Sequence, residues 1–304
     1  MRTKLSTMLA AVLGMTASLA LVGVPAQAAT AGSTATVSDR LVLEPTERGY
    51  RGSLEIDVSY QGSEPSFISY VMTEPIPVSF QNPEWGAQCN DSGQILSDGR
   101  TRVECQFAGF QLEPGERRTF TLDFAVLTPT QAYAMKARAG RIVVKVGDTV
   151  ITDETFSTRF RSTTGSLANP RPYVQDAQPD LRVSAASAVT LVRQPDGRFE
   201  GRLPVTLRYV GDAPHSFVWY TVDRLPAQVG EPWTEGSGLN SVEGGALMDG
   251  EERRLTLIVN AAADAPIGEL GQVDIQFSLI RAIAPDVDPT DDRITFTVTT
   301  AEAP

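Results

Sequence analysis

Few residues in this 304-residue chain have types and spacings that could do chemistry. Asp286, Asp288, Asp291 and Asp292 crowd into one short run, and clustered carboxylates in a loop can offer calcium its hard oxygen ligands. The run lacks the glycine-centred calcium loop with its closing glutamate. A solvated acidic hairpin loop is therefore the simpler reading and a calcium site the alternative. Cys89 and Cys105 are the only cysteines, so one pairing exists. A disulfide closing a loop of that size contributes ~3 kcal/mol in the chain-entropy model; two free thiols are the alternative. Zinc usually needs four ligands, which two thiols and the single histidine cannot supply. That histidine, His215, would have to serve any Ser-His-Asp or Cys-His site. No Gly-x-Ser-x-Gly elbow or metal-binding histidine pair accompanies it. Acidic pairs leave carboxylate glycosidase chemistry formally open, but small β-sandwiches seldom build the deep cleft it needs, and no enzyme is expected. Trp85 and Trp233 are candidates for stacking on carbohydrate or a protein partner. Trp219 alternates with Phe217 and is expected in the core.

The elements that must position these residues are short strands. Leu54, Ile56 and Val58 alternate with Glu55, Asp57 and Ser59, and Leu203, Val205 and Leu207 alternate with Pro204, Thr206 and Arg208. Period two with one polar face marks a half-buried strand. Turn pairs such as Asp98-Gly99, Pro114-Gly115, Gly147-Asp148 and Asp249-Gly250 separate the runs. No segment beyond the first residues keeps a helical period.

The strand text is also written twice. Gly52 through Tyr60 and Gly62 returns as Gly201 through Tyr209 and Gly211, and Leu112 to Arg118 returns as Leu247 to Arg253. Gly52 and Gly201 lie 149 positions apart while Gly115 and Gly250 lie 135 apart, so the first copy carries 14 extra residues, among them both cysteines. The second copy carries about 7 extra around Ile283 to Pro289. A strict two-residue hairpin at Asp98-Gly99 would set Cys89 opposite Ala108. Pairing Cys89 with Cys105 therefore requires an irregularity, which Asn90 to Gly93 could provide.

The expected fold class is all-β: two tandem immunoglobulin-like antiparallel β-sandwiches after an N-terminal signal peptide. Residues 1–28 read as the signal peptide, with Arg2 and Lys4, an apolar run to Val24 and an Ala26-Gln27-Ala28 cleavage site. Residues 29–35 read as a flexible leader, 36–161 as the first sandwich, 162–179 as a proline-rich linker and 180–300 as the second sandwich. Removing Arg2 and Lys4 from 26 basic residues leaves 24 against 37 acidic ones, a net charge of −13. That balance argues against nucleic acid and anionic lipid as partners.

These motifs resemble the tandem conserved-repeat family, of unassigned function, common in bacterial surface and secreted proteins. The resemblance rests on Pro179-Asp180-Leu181-Arg182-Val183, on Thr221 to the Leu225-Pro226 corner, and on the Leu-x-x-Gly-Glu turns ending at Glu116 and Glu251. It also rests on the acidic-proline stretch Asp286 to Asp292 and on Trp85 with Cys89 and Cys105. It covers most of residues 36–300. The family's Asn-Gly turn is replaced by Gln61-Gly62 and Val210-Gly211, and its paired asparagines by Asp291-Asp292. The resemblance implies an immunoglobulin-like fold and assigns no activity.

Together these readings lead us to expect a secreted, extracellular, non-enzymatic protein acting as a spacer or protein-binding platform at the cell exterior. The alternative is a calcium- or carbohydrate-binding module. The expected partner is an extracellular protein or a cell-envelope component, with no nucleic acid, no stable membrane insertion after cleavage and no cofactor except possible calcium.

Overall fold

The structure, a computed structural model, describes residues 32–81, 88–175, 178–236 and 240–303. The signal, the first three residues of the stretch read as a leader, and Trp85 lie outside the described residues. Thr34 and Ala35, read as flexible leader, instead open a strand paired antiparallel with Ser59 and Val58, where Ala35 is buried. Among those described there is no helix, hence none long and apolar enough to cross a membrane.

Eleven strands come from the N-terminal half: β1 (Thr34–Val37), β2 (Arg40–Thr46), β3 (Gly49–Ser59), β4 (Ser66–Thr73), β5 (Gln88–Ile95), β6 (Thr101–Leu112), β7 (Arg117–Val126), β8 (Met135–Lys136), β9 (Gly140–Val146), β10 (Thr149–Phe160) and β11 (Arg171–Pro172). The C-terminal half supplies β12 (Asp180–Ala185), β13 (Ala188–Arg193), β14 (Phe199–Val210), β15 (Phe217–Arg224), β16 (Trp233–Thr234), β17 (Glu252–Ala261), β18 (Gly268–Ile280) and β19 (Arg293–Ala301). Each half forms its own sheet system, of eleven and eight strands. Most pairings are antiparallel. The parallel ones are β10 with β2, β11 with β8, and β13 with β19.

Alternation decides which side chains go inside. Leu54, Ile56 and Val58 of β3 are buried, as are Leu203, Val205 and Leu207 of β14, while their neighbours in sequence face outward. The apolar faces close over two separate cores. One holds Tyr50, Tyr70, Phe124, Phe156 and Phe160; the other holds Phe199, Tyr209, Tyr220, Phe277 and Phe296. Gly52 and Gly201 are required by close approach. A Cβ on Gly52 would sit 2.1 Å from the Val42 carbonyl, and one on Gly201 would sit 2.7 Å from Leu191 and from the Thr190 carbonyl.

Three local features differ from or refine the reading of the sequence. Phe217 and Trp219 do share a face, but it is the outer one. Val218 and Tyr220 are fully buried, whereas Phe217 and Trp219 are half-buried, with Trp219 bridged to Ser241. Alternation fixes which residues share a face, and here both faces are apolar, so pattern alone could not say which is inside. Secondly, much of the stretch read as a linker is docked on the first core. Ser162 is buried, Arg171–Pro172 pairs with β8, and Tyr173 stacks on Phe160 at 5.0 Å. Thirdly, Cys89 faces Cys105 with their sulfurs 2.08 Å apart. The register slips between Asn90 and Gln94, four steps along β5 against two along β6 from Glu104 to Arg102. That slip is the irregularity the pairing requires.

Candidate functional site

The halves meet across a polar joint, one side of which is built by the segments in which the two copies differ and the other by the repeated Leu247–Arg253 turn and its neighbours. The β5–β6 hairpin tip brings Gly99 against Ile283, and Arg281 Nη2 donates to Thr101 Oγ1 at 3.2 Å. On the other side Arg48 Nη2 donates to the Ala246 carbonyl and to Glu251 Oε2, both at 3.0 Å, and Thr128 Oγ1 donates to Asp212. Between these contacts lies a cleft of about 360 Å³. That volume is within the range of small-ligand sites.

Two of the three non-glycine residues with positive φ among those described line this cleft: Val78 at 57° and Arg281 at 58°. The Ser79 amide donates to the Ile76 carbonyl at 3.2 Å, so Pro77 and Val78 occupy the central positions of a type II turn, where the second favours glycine. A β-branched residue there costs about 1–3 kcal/mol, and such strain clusters at ligand clamps. Glu74 holds the turn. It is buried, its Oε2 accepts the Phe80 amide at 3.0 Å and its Oε1 the Thr101 amide at 3.2 Å. Burial raises its pKa against those hydrogen bonds and Arg281.

His215, also buried, stands on the opposite wall. Its Nε2 accepts the Leu247 amide at 2.9 Å, which assigns the proton to Nδ1, 3.2 Å from the Ala213 carbonyl. Burial pushes its pKa down, and Arg253 adds to the effect. With both nitrogens hydrogen-bonded, His215 latches loop to loop. Arg51, on β3, is exposed to the cleft, and its side chain makes no hydrogen bond or ion pair with any described residue. Its cross-strand neighbour Glu44 is taken by Arg161 at 2.8 Å.

The acidic run of the C-terminal half resolves into separate roles. Asp286 and Asp291 come together with Asp180, their carboxylate oxygens within 4.8 Å of one another. Asp288 instead caps Thr290, accepting its amide at 3.1 Å and its hydroxyl at 2.6 Å, and Asp292 accepts from Gln276. Asp286 Oδ2 accepts the Leu181 amide at 2.8 Å, which ties the start of β12 to this loop. Arg182 partly neutralises the group, 2.5 Å from Asp180 and 3.5 Å from Asp291. Burial raises the pKa of Asp291 and lifts that of Asp292 to about 6. Asp180 was legible only as the opener of its strand; nothing in the sequence links it to residues a hundred positions away. Trp233 is half-buried on β16, paired with Ile258, and does not line the cleft.

No family model and no curated protein matches the chain. Among solved structures, it is similar to a protein of unknown function from Porphyromonas gingivalis W83, with 14% identity and a TM-score of 0.25, covering 88% of this chain and 98% of that one. It is also similar to red sea bream transglutaminase, with 10% identity and a TM-score of 0.24, covering 86% of this chain. The chain spans 31% of that enzyme's length. Likenesses at these scores bear on neither fold nor activity.

Proposed function

We propose that this chain is a secreted, non-enzymatic protein of two tandem immunoglobulin-like sandwiches, delivered by a signal peptide, that acts as a binding platform at the cell exterior and presents the cleft between its halves to a partner. The observation that carries this reading is the coincidence of two strained backbone positions, Val78 and Arg281, on the walls of one polar cleft. The disulfide-distance cysteine pair fits an oxidising exterior. The test is capture from the producer's envelope fraction and culture medium by the immobilised protein, compared with Ala125→Trp. Ala125 lines the cleft on the outward face of β7, so a tryptophan there fills the space without entering the core. A partner held by the original chain and lost by the variant supports the platform. Equal capture by both, or none by either, refutes it.

A calcium-binding role is a second reading, favoured by one observation. Asp180 Oδ1 and Asp291 Oδ1 are buried and accept no hydrogen bond. Calcium stabilisation not reproduced by magnesium, lost in Asp180→Asn and Asp291→Ala and kept in Asp288→Ala, would support it. A carbohydrate role has only Trp233 and Trp219, both half-buried, among the described tryptophans.

A further inference from the structure

From the cleft's chemistry we infer that its ligand is an acidic, partly apolar peptide segment of a partner protein, with a carboxylate placed against Arg51; this rests on the platform reading above. The cleft is amphipathic. Pro77, Val78, Phe80, Leu127, Pro214 and Phe217 supply its apolar wall. Arg48, Arg51 and Arg281 bring three guanidinium groups into one small space against two lining carboxylates, Glu74, which accepts two backbone amides, and Asp212, which accepts from Thr128, on a chain whose net charge is −11. Arg48 and Arg281 are engaged across the joint, whereas Arg51 keeps five donors available. An arginine side chain without a partner beside an apolar wall is suited to a carboxylate, which its planar fork can bind in bidentate fashion. The rest of the acidic surface repels such a ligand, so attraction is local and selective.

A peptide fits better than a sugar. No described tryptophan lines the cleft, and its only aromatic rings among the described residues are Phe80, Phe217 and the already hydrogen-bonded His215. Small apolar walls of proline, valine and leucine suit aliphatic side chains. The joint contacts on either side limit the occupant to a short segment.

The experiment uses the mature protein at 150 mM salt and three blocked, fluorescent six-residue probes. One alternates leucine with aspartate, one leucine with lysine, and one serine with aspartate. Binding read by anisotropy should be strongest for the leucine–aspartate probe and at least tenfold weaker for the other two. Arg51→Gln should weaken that probe about tenfold, and Arg51→Glu more. Arg117→Glu, an exposed arginine outside the cleft, should leave it within twofold, and Ala125→Trp should abolish it. Melting temperatures close to the original for the Arg51 variants confirm that folding is intact. Preference for the lysine probe, or binding that survives both Arg51 variants or Ala125→Trp, overturns the proposal. Absence of probe binding while envelope capture still depends on Ala125 refutes the acidic-peptide class alone and leaves the platform standing.

Discussion

The turn Leu112–Arg118 and the turn Leu247–Arg253 are built from the same parts and placed in different company. In both, the glycine amide donates to a tyrosine carbonyl: Gly115 to Tyr60 at 3.0 Å and Gly250 to Tyr209 at 2.9 Å. In both, the glutamate folds back on its own turn, Glu116 accepting the Glu113 amide at 2.8 Å and Glu251 the Met248 amide at 2.9 Å. Each glutamate also pairs with the arginine two residues on. The difference lies outside the turn. Glu251 also receives Arg48 from the other half of the chain, and Arg253 donates to the Glu243 and Gly245 carbonyls at 2.8 Å each. Arg253 keeps 14% of its side-chain surface exposed, against 34% for Arg118. A self-contained turn works wherever it is copied. The second copy shows that its carboxylate has room for one more partner, and that partner makes it part of the joint.

The largest expected effect comes from removing the two glutamates. Glu251→Ala leaves the Arg253 guanidinium nearly buried without its carboxylate and should cost about 2–3 kcal/mol in denaturant unfolding. Glu116→Ala should cost about 1 kcal/mol or less, because Arg118 can turn to water. Equal losses would mean that the joint adds nothing to the second turn.

A pH series sharpens the same contrast. Only the second turn is latched by His215, whose folded-state pKa lies below its usual 6.5. Below that pH the unfolded chain binds the proton more readily than the folded one. Stability is therefore full above 6.5 and falls as pH drops toward the folded value, by at most about 1.4 kcal/mol per unit. Glu251 acts lower. Burial would raise its pKa, but the Met248 amide, Arg253 and Arg48 bring it below 4.5, so its contribution disappears only as pH falls through that lowered value. Melting of His215→Gln should lose the share of the slope just below pH 6.5 that His215 contributes and keep the one below 4.5. An unchanged slope would remove the latch from the explanation.

Much of this architecture was legible because it is local. The alternation in β3 and β14, the Gly-Glu turns and the need for a register slip between Cys89 and the hairpin tip all follow from neighbouring residues and strand geometry. What was not legible depends on residues far apart. Nothing near Asp180 indicates that Asp286 and Asp291 will approach it, and nothing near Arg48 indicates Glu251, 203 positions away. The outward face of Phe217 and Trp219 escaped because both faces of β15 are apolar. The strained turn at Val78 escaped because its sequence, Ile76-Pro77-Val78-Ser79, lacks the glycine or asparagine that normally announces one.

A third titration window of opposite sign belongs to the C-terminal half. Asp292 is held at about 6, chiefly by burial, so its charge disfavours the fold above that pH and is absent below about 4. Asp292→Asn retains an oxygen for Gln276 and should raise stability at pH 7.5 by about 1 kcal/mol after allowance for solvent screening, with no gain near pH 4. A gain independent of pH would assign the effect to packing instead.

The smallest expected effect is also the most direct test of the comparison. Arg48→Ala makes the environments of the two turns alike, since Glu251 then pairs with Arg253 alone, as Glu116 pairs with Arg118. Arg48 keeps 43% of its side-chain surface exposed, and a pair so open to water contributes at most about 1 kcal/mol. Global unfolding should therefore hardly move. The joint should respond more, because Arg48 is one of only a few polar contacts that cross it. Amide exchange at Ala246 and Leu247 should quicken while exchange at Glu113 and Gly115 stays unchanged, since local opening reports contacts that global unfolding averages away. Quickening at both turns would show that Arg48 supports the fold at large. No change at either would show that the second turn holds its place without the first half, and that the joint is kept by the hairpin tip and Arg281.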